Sequence, residues 1–394
     1  MQQALLFQWG VSTFYGWGII GLNLLRHWPA AAGTPAYCGG KIDLDSLDGM
    51  DPLALRALMP VLIENSDLRD RWPTMMAETG RFNGVVLHSL GNRFSGATRS
   101  RDGGLSGRIT GAAIFFEDTI LPDAVTVANE YAVIIAGSNW NAEVLLAAGI
   151  QNVAIVIQGV DASVFHPAPR SGALAGRFAV FSGGKLEYRK AQDLVLLAFR
   201  AFASRHREAV LVTAWHSPWP SLAVTLNRNA ALTPIGLDAE GKVNMAAWAS
   251  ANGLAEDQFI DVGSVPNHLM ARVLRETDIA LFPNRCEGGT NLVAMECMAS
   301  GIPTIVSDNT GHKDLVATGA PYPLSRQSPV AMPNFGTDGW GESDVDEIVE
   351  ALERVWSDGE EARRRGEAGV AAMAGMGWSD YARRLHETLA PLHP

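Results

Sequence analysis

Cysteine is scarce in this sequence, and its few copies follow no pattern. Among 394 residues there are three, Cys38, Cys286 and Cys297. An odd, sparse set makes neither a disulfide framework nor a paired zinc spacing, and it is typical of a reducing compartment. The nine histidines are scattered without paired ligand spacing, so we predict no structural metal. Cys286 stands beside Glu287, but no histidine in a triad-like context accompanies it, which favours a packing role.

Excess positive charge and long apolar runs are also absent. The chain has 31 Lys and Arg against 42 Asp and Glu, a net charge of −11. This balance argues against a nucleic-acid partner and against simple electrostatic adhesion to anionic membranes. No apolar run approaches the roughly 20 residues that span a bilayer, and no signal-peptide pattern begins the chain. We therefore expect a cytoplasmic protein without a transmembrane segment; peripheral membrane contact stays open, although no basic amphipathic helix supports it.

Buried strand patterns alternate with helical patterns along the whole chain. This alternation predicts an α/β protein whose parallel sheets are covered by helices on both faces. A chain of 394 residues is too long for one ordinary core, so two domains are expected. We place the boundary between residues 168 and 169, giving domains of 1–168 and 169–377, because residues 166–172 are rich in Pro, Ser and Gly.

The most informative stretch is a strand–loop–helix–strand unit at residues 279–306. An apolar strand breaks into a glycine-containing loop, and a helix then runs from about residue 291 to 299. The start of such a helix faces the carboxyl end of a parallel sheet, where free amides and the helix dipole bind anions. Glu296 lies in an otherwise apolar helix, where an unpartnered carboxylate would be costly, and Glu287 lies in the loop ahead. Two carboxylates around a phosphate-ready helix end indicate a sugar attached to a phosphate.

This stretch resembles the paired-glutamate motif of the retaining glycosyltransferases of family 4, a large group with the GT-B fold. Glu287 takes the place of the loop glutamate and Glu296 that of the helix glutamate. Eight residues separate them, one more than is usual in the family, so we infer a one-residue insertion within 288–291. The string from Gln158 to Pro167 also closely resembles the signature that ends the first domain in this family.

The resemblance implies a GT-B fold, in which two Rossmann-like domains face an interdomain cleft and a final helix, about 378–394, packs back onto the first domain. It implies retaining, metal-independent transfer of a hexosyl group from a nucleoside-diphosphate sugar to an acceptor hydroxyl, in polysaccharide or glycoconjugate biosynthesis. The expected partners are a nucleotide sugar, such as a UDP- or GDP-hexose, and a sugar, glycoconjugate or other hydroxyl acceptor. No separate cofactor is expected.

Two lysines follow the glycine turn at the start of the second domain. The family has an arginine after this turn and a lysine five residues later; here Lys185 and Lys190 occupy those places. Both would neutralise the donor diphosphate, whose charge grows as the glycosidic bond breaks. Lysine in place of arginine keeps the charge but loses the bidentate fork.

The resemblance also implies roles for the paired-glutamate unit. Glu296 would accept the ribose hydroxyls of the donor, and Glu287 would hold hydroxyls of the transferred sugar. The diphosphate would contact the amides around Thr290, Asn291 and Leu292. We count Glu287 and Lys190 among the catalytic residues.

A glycine loop follows the first strand. Gly16, Gly18 and Gly21 satisfy the dinucleotide fingerprint G-x-G-x-x-G. That fingerprint also needs an acid at the end of the second strand, whereas the first acid here, Asp43, lies in an acidic loop. We therefore favour the arrangement of family 4, in which this loop faces the cleft, and predict Gly16 and Gly18 as donor-binding residues.

Two further residues of the first half follow predicted strands. His88 ends the strand 83–88, and family 4 enzymes commonly have a histidine there, close to the transferred sugar. We predict a catalytic role for it, with a purely structural histidine as the alternative. Glu117 follows the strand 112–116 and resembles a strand-end acid of one branch of the family. It would contact the acceptor, unless it is a solvated strand-end acid.

Three other functions stay open. A nucleotide-sugar 2-epimerase has the same fold and would form product from the donor alone. An NAD-dependent oxidoreductase would use the Gly16 loop, and the missing acid argues against it. A catalytically silent sugar-nucleotide-binding subunit is disfavoured because both the lysine pair and the glutamate pair are intact.

Overall fold

The computed structural model describes residues 4–40, 42–79, 81–90, 106–114, 122–217, 219–332 and 336–392. The strands of the first half are β1 (Ala4–Phe7), β2 (Ala36–Cys38), β3 (Phe82–Leu90), β4 (Gly107–Ile114), β5 (Ile134–Ala136) and β6 (Val153–Ile155). They form one parallel sheet in the order β2-β1-β3-β4-β5-β6.

A second parallel sheet occupies the other half of the chain. Its strands are β7 (Phe178–Gly184), β8 (Ala209–Trp215), β9 (Phe259–Asp261), β10 (Ile279–Phe282), β11 (Thr304–Ser307) and β12 (Tyr322–Leu324). They follow the order β12-β11-β10-β7-β8-β9. A short antiparallel pair, β13 (Gln327–Pro329) and β14 (Gly341–Ser343), lies beside it in the chain.

Helices connect the strands and cover the sheets. Those of the first half are α1 (Gly16–Ala32), α2 (Pro52–Thr79), α3 (Pro122–Ala128) and α4 (Asn139–Ala147). Those of the second half are α5 (Gln192–Ala203), α6 (Met245–Ala251), α7 (Asn267–Leu274), α8 (Leu292–Ala299), α9 (Lys313–Val316), α10 (Val345–Ser357), α11 (Gly359–Met373) and α12 (Trp378–Leu389). No helix among the described residues is both long and apolar enough to cross a membrane.

The inner strands of the two sheets are largely buried because helices cover both faces of each sheet. β10 is apolar along its whole length, and each of its residues is buried. Continuous apolar runs of this kind are typical of parallel strands, which have no solvent face. The predicted α/β architecture of two parallel sheets is therefore confirmed, and the predicted boundary at residues 168/169 lies in the segment between β6 and β7.

The last helix lies against the first. α12 buries Tyr381, Leu385 and Leu389, and its His386 ring stands edge-on to Trp28 of α1 with 5.7 Å between ring centroids. The carbonyl of residue 376, just before α12, accepts a hydrogen bond from the N–H of Val160 over 2.8 Å. The final helix thus packs on the layer that covers the first sheet.

Two local predictions were wrong. The strand predicted to end at His88 continues to Leu90, so His88 lies within β3 and not at its end. The Pro and Gly residues within 321–341 predict a loop, but this stretch contains β12 and β13 and the first residue of β14. These strands are only three residues long, which is too short for an apolar repeat to show.

Candidate active site

Three loops meet at the carboxyl ends of adjacent strands of the second sheet. They follow β7, β10 and β11, which are neighbours in the sheet. The first loop contains Lys185 and Lys190, the second contains Glu287, and the third contains His312. Parallel strands place such loops at one edge, where open α/β sheets bind their ligands. The structure therefore brings the predicted lysine loop and the predicted glutamate loop together.

A buried group of four charged side chains occupies this edge. We call Glu187, Arg189, Lys190 and Glu287 the charge cluster. Lys190 Nζ donates to Glu287 Oε1, and Arg189 Nη1 lies 3.3 Å from Glu287 Oε2. Arg189 Nη2 donates to Glu187 Oε1 over 2.6 Å. Glu287 is only 5% exposed, so protein cations and not solvent stabilise the charge of this carboxylate.

The cations decide the protonation of the cluster. Burial alone would raise the pKa of Glu287, but the Lys190 ammonium and the Arg189 guanidinium lower that pKa to about 2. The pKa of Glu187 is also lowered, against the effect of burial, by Arg189, Lys185 and Lys190. Both carboxylates are therefore ionised at neutral pH.

A buried arginine joins the lysine loop to the glutamate loop. Arg285 makes a two-pronged contact with Asp193 of α5, over 2.8 and 2.7 Å, and donates to Glu342 over 2.7 Å. Its guanidinium also donates to the carbonyl of Tyr188 over 2.8 Å, and its N–H donates to the carbonyl of Arg189 over 2.8 Å. Sequence reasoning missed Arg285. The available signal was a lone acid, Asp193, in the apolar helix α5.

The second glutamate is held from the start of another helix, α7. Glu296 is 3% exposed in α8, and Asn267 Nδ2 donates to its Oε1 over 2.6 Å. Burial raises the pKa of Glu296 to about 8, and the Asn267 hydrogen bond opposes that rise. The N–H of Asn267 also donates to the carbonyl of Thr13 over 2.7 Å. Asn267, which no sequence motif indicated, thus links Glu296 to the loop before α1.

Asn291, the last residue of the stretch in which we predict an insertion, caps the start of α8. Asn291 has a left-handed backbone with φ of 63°, and its side chain accepts from Ala294 N–H over 3.4 Å. Its Nδ2 donates to His312 Nε2 over 3.0 Å, while His312 Nδ1 contacts Ser307 Oγ at 2.9 Å. Burial lowers the pKa of His312 to about 4, so the ring is neutral and accepts at Nε2.

The other two residues predicted here flank Asn291. The first bond within α8 runs from Met295 N–H to the Asn291 carbonyl over 3.1 Å, so the amide of Leu292 precedes the helical ladder. The Thr290 hydroxyl donates to Met295 Sδ over 3.0 Å and accepts from Gln158 Nε2 over 3.3 Å. The helix end predicted to bind phosphate is therefore in place beside the charge cluster.

The glycine loop has two kinds of glycine. A Cβ on Gly18 would lie 2.5 Å from Ser12 Cβ, so this glycine is needed for packing between helix and loop. Gly16, the first residue of α1, has open space where a Cβ would be. Gly16 is therefore the better placed of the two predicted donor-binding glycines. At the end of β2 stands Cys38, and Asp43 caps a short helix by accepting from Asp45 N–H, so the acid that NAD binding needs is not at that position.

Three further residues were predicted for the site. His88 is buried within β3, with its Nδ1 3.0 Å from the Tyr131 hydroxyl and its ring edge-on to the tyrosine ring. This packing favours the structural alternative for His88. Lys185 Nζ lies 5.2 Å from the ring centroid of the half-exposed Trp219. Glu117 lies outside the described residues.

Residues of the first half touch the glutamate loop directly. Ser138, at the start of α4, donates from Oγ to the carbonyl of Gly288 over 2.9 Å. Asn139 donates to Asp314 from its N–H and its side chain, over 3.0 and 2.9 Å. The site therefore lies between the two sheets.

Comparison with known proteins agrees with this arrangement. A family model described as "Family 4 Glycosyltransferase in conflict systems" matches residues 141–385. The chain is 26% identical over 317 residues to the GDP-mannose-dependent alpha-(1-6)-phosphatidylinositol dimannoside mannosyltransferase of Mycobacterium tuberculosis (strain ATCC 25177 / H37Ra). That match covers 76% of this chain and 68% of the relative.

Solved structures agree over the full length. HepE of Anabaena, in complex with UDP, matches with a TM-score of 0.63 and 14% identity, over 99% of this chain and 100% of its own. The sucrose-phosphate synthase of Thermosynechococcus elongatus matches with a TM-score of 0.65 and 15% identity, over 100% and 99%. These likenesses confirm the predicted GT-B fold. Together with the family match, they show that the chain belongs to the family 4 glycosyltransferases.

Proposed function

We propose that this protein transfers a hexosyl group, with retention of configuration, from a nucleoside-diphosphate sugar to an acceptor hydroxyl. The observation that carries this proposal is the meeting of Lys190, Glu287 and the start of α8 at one sheet edge between the two halves. The M. tuberculosis relative is named for GDP-mannose and the HepE structure contains UDP, which supports a UDP- or GDP-hexose as the donor.

The donor diphosphate would lie between the two lysines and the start of α8. Lys185 and Lys190 supply two positive charges, and the amides around Thr290, Asn291 and Leu292 supply the positive end of a helix dipole. The charge on the leaving diphosphate grows as the glycosidic bond breaks, so these groups stabilise the transition state more than the ground state. We propose that they do this without a metal ion.

Glu296 would accept hydrogen bonds from the ribose hydroxyls. Its Oε1 is already held by Asn267, which orients the carboxylate. Hydrogen bonds from a ribose favour the ionised form of a buried carboxylate. The pKa of Glu296 is about 8 without ligand, so this carboxyl is mostly protonated at neutral pH. Donor binding should therefore lower that pKa and release a proton.

Retention is proposed to proceed without a protein nucleophile. The departing phosphate takes the proton of the acceptor hydroxyl on the same face of the sugar, and the side chains position the two substrates. Glu287 would hold sugar hydroxyls, and Gly16 would approach the donor from the first half. We keep Glu117 as the proposed acceptor contact. A catalytic role for His88 competes with its packing against Tyr131.

The first test is ligand-induced thermal stabilisation without added metal. The panel contains UDP, GDP, ADP, their sugar conjugates and NAD. We expect one nucleoside diphosphate and its sugar conjugates to raise the melting temperature, because a ligand that binds the folded state stabilises it. Stabilisation by NAD alone would contradict the proposal and point to the glycine loop as the ligand site.

The second test separates transfer from isomerisation. The stabilising nucleotide sugar is incubated with the protein and no acceptor, and the products are followed by proton NMR. A transferase should slowly release nucleoside diphosphate and free sugar, as water replaces the acceptor, with the first sugar formed keeping the donor's anomeric configuration. A new nucleotide sugar would instead identify an isomerase, and an inverted first anomer would contradict retention.

A further inference from the structure

Two cations share one carboxylate in the charge cluster. Lys190 binds Glu287 Oε1, and Arg189 lies against Oε2. Asn284 Nδ2 also donates to Oε1. In the proposed reaction Lys190 turns to the donor diphosphate. The Lys190 ammonium, which pairs with Glu287 in the ligand-free protein, would then pair with the diphosphate and leave Glu287.

The two cations differ in their freedom to move. Arg189 is fixed at both prongs, to Glu187 Oε1 over 2.6 Å and to the Cys286 carbonyl over 3.0 Å, and its own carbonyl accepts from Arg285 N–H over 2.8 Å. Lys190 has a single-point ammonium on a flexible stem, and this stem lies along Gly184, where a Cβ would be 3.7 Å from Lys190 Cδ. Lys190 can therefore leave Glu287, whereas Arg189 is held in place.

If Lys190 were the only cation beside Glu287, its movement to the donor would be costly. A buried charge whose partner is removed destabilises the protein strongly, because water cannot replace the partner. Glu287 would then take up a proton or turn away, and either change would spoil its proposed contact with the sugar. A second cation that stays in place removes this problem.

We propose that Arg189 is the standing counter-ion of Glu287, a positioning residue that keeps this carboxylate ionised and oriented while Lys190 binds the donor diphosphate. This inference rests on the proposed function for the movement of Lys190. The pairing of Arg189 with Glu287 is independent of any donor. One experiment without donor and one with donor therefore test the two parts separately.

The donor-free experiment is a double-mutant cycle read by thermal unfolding. Arg189→Met, Lys190→Met and the double variant are compared in the native background and in a Glu287→Gln background. With Glu287 present, each single variant leaves one cation beside this carboxylate. The melting temperature of the double variant should therefore fall several degrees further than the sum of the two single decreases. With Glu287→Gln the losses should add. Additive losses in the native background would overturn the proposal.

Two milder replacements of Arg189 keep the test usable if the methionine variants do not fold. Arg189→Lys keeps a charge but cannot reach Glu187 and Glu287 together, so it should show a smaller excess loss with Lys190→Met. Arg189→Gln should behave as Arg189→Met does. If Arg189 only fills space, all three replacements will lower the melting temperature to an extent that does not depend on Lys190 or Glu287.

The donor-dependent experiment follows kcat against pH at a saturating concentration of the nucleotide sugar that stabilises the native protein, because kcat reports the titrating groups of the donor-bound protein. The diphosphate ester of the donor has no titrating proton near neutrality. In Arg189→Met, Glu287 loses its last cation when Lys190 moves, so the acidic limb of kcat should shift upward by at least about one pH unit. Arg189→Lys should restore most of the native profile, and Glu187→Gln, which leaves the contact with Glu287 intact, should not shift the limb upward.

The outcomes separate the two proposals. If no nucleotide sugar binds, the proposed function fails, while the cycle still decides whether Arg189 and Lys190 substitute for each other at Glu287. If a donor binds but the pH profile of Arg189→Met equals that of the native protein, the positioning role is wrong. An upward shift together with an excess loss in the cycle supports it.

Discussion

Glu296 shows how one buried carboxylate ties stability to pH. Its pKa is about 8 in the folded protein, against an ordinary value of 4.5, because burial disfavours the charged form. Between these values the folded state binds a proton that the unfolded state has lost. Stability from this group is therefore lost as the pH rises through that window.

We therefore predict that Glu296→Gln stabilises the ligand-free protein in alkaline but not in acidic solution. At pH 5 the variant and the native protein should unfold alike, whereas at pH 8 the variant should gain on the order of 2–4 kcal/mol. Urea unfolding at both pH values measures this. Glu240→Gln, at an exposed position, is the control. The same gain at both pH values would contradict the titration argument.

Lys190 and Glu296 should matter most during turnover. Lys190→Ala removes a charge from the proposed diphosphate site, and Glu296→Ala removes the proposed ribose contact. Each should weaken transition-state stabilisation by roughly 2–4 kcal/mol, read from kcat/KM with the nucleotide sugar. Lys242→Ala, at an exposed position, serves as the control. Native-like kinetics in both variants would show that Lys190 and Glu296 do not contribute to turnover.

The sequence identified the residues that follow a spacing rule and missed those that do not. Lys190, Glu287 and Glu296 sit at set distances within short motifs, so they could be named. Arg189 carries no motif, and its role depends on Glu287, which is 98 residues away along the chain. Asn267 reaches Glu296 from the start of α7. Such pairings arise from the sheet order, which no local pattern contains.

At the scale of single elements, the start of α8 depends on one unusual backbone conformation. Asn291 caps the helix with its side chain while its φ is 63°, a region that side chains other than those of Gly, Asn and Asp seldom adopt. The one-residue insertion within 288–291 stays a prediction. The side chain of Asn291 also donates to His312, which holds this left-handed residue in place.

Replacing Asn291 should separate the cap from the backbone strain. Asn291→Gly loses the cap and the His312 contact but adopts the positive φ freely, so we expect a loss of about 1 kcal/mol. Asn291→Ala adds the left-handed strain and should lose about 1–2 kcal/mol more. Urea unfolding of both variants measures the difference. If alanine is tolerated as well as glycine, the left-handed conformation does not limit this helix start.

Element prediction succeeded where burial is continuous and failed where elements are short. Apolar runs predict strands at residues 4–9 and 279–282, and the structure has β1 at Ala4–Phe7 and β10 at Ile279–Phe282. β12, β13 and β14 have three residues each and depend on neighbours for their pairing. His88 was misplaced because the polar Ser89 hid the continuation of β3 to Leu90.

At the scale of the whole molecule, several polar contacts between described residues join the two halves near the site. Ser138 and Asn139 at the start of α4 reach Gly288 and Asp314 of the second half, and Asn267 reaches the Thr13 carbonyl. Asp314 faces the positive end of α4, so its charge adds to the two hydrogen bonds. These contacts join the glutamate loop, α7 and α9 to the first half, which makes the arrangement of the halves part of the site.

We therefore predict that Asp314→Ala opens the ligand-free protein. Without this carboxylate the start of α4 loses two hydrogen bonds and a favourable charge, together worth about 1–2 kcal/mol, which is enough to shift a balance between open and closed arrangements several-fold. Small-angle X-ray scattering should give a larger radius of gyration for Asp314→Ala than for the native protein, and saturating nucleotide sugar should remove the difference. Asp346→Ala, at an exposed position on α10, controls for loss of charge alone. Identical scattering from all three proteins would mean that contacts such as Asn267 with Thr13 hold the halves together without Asp314.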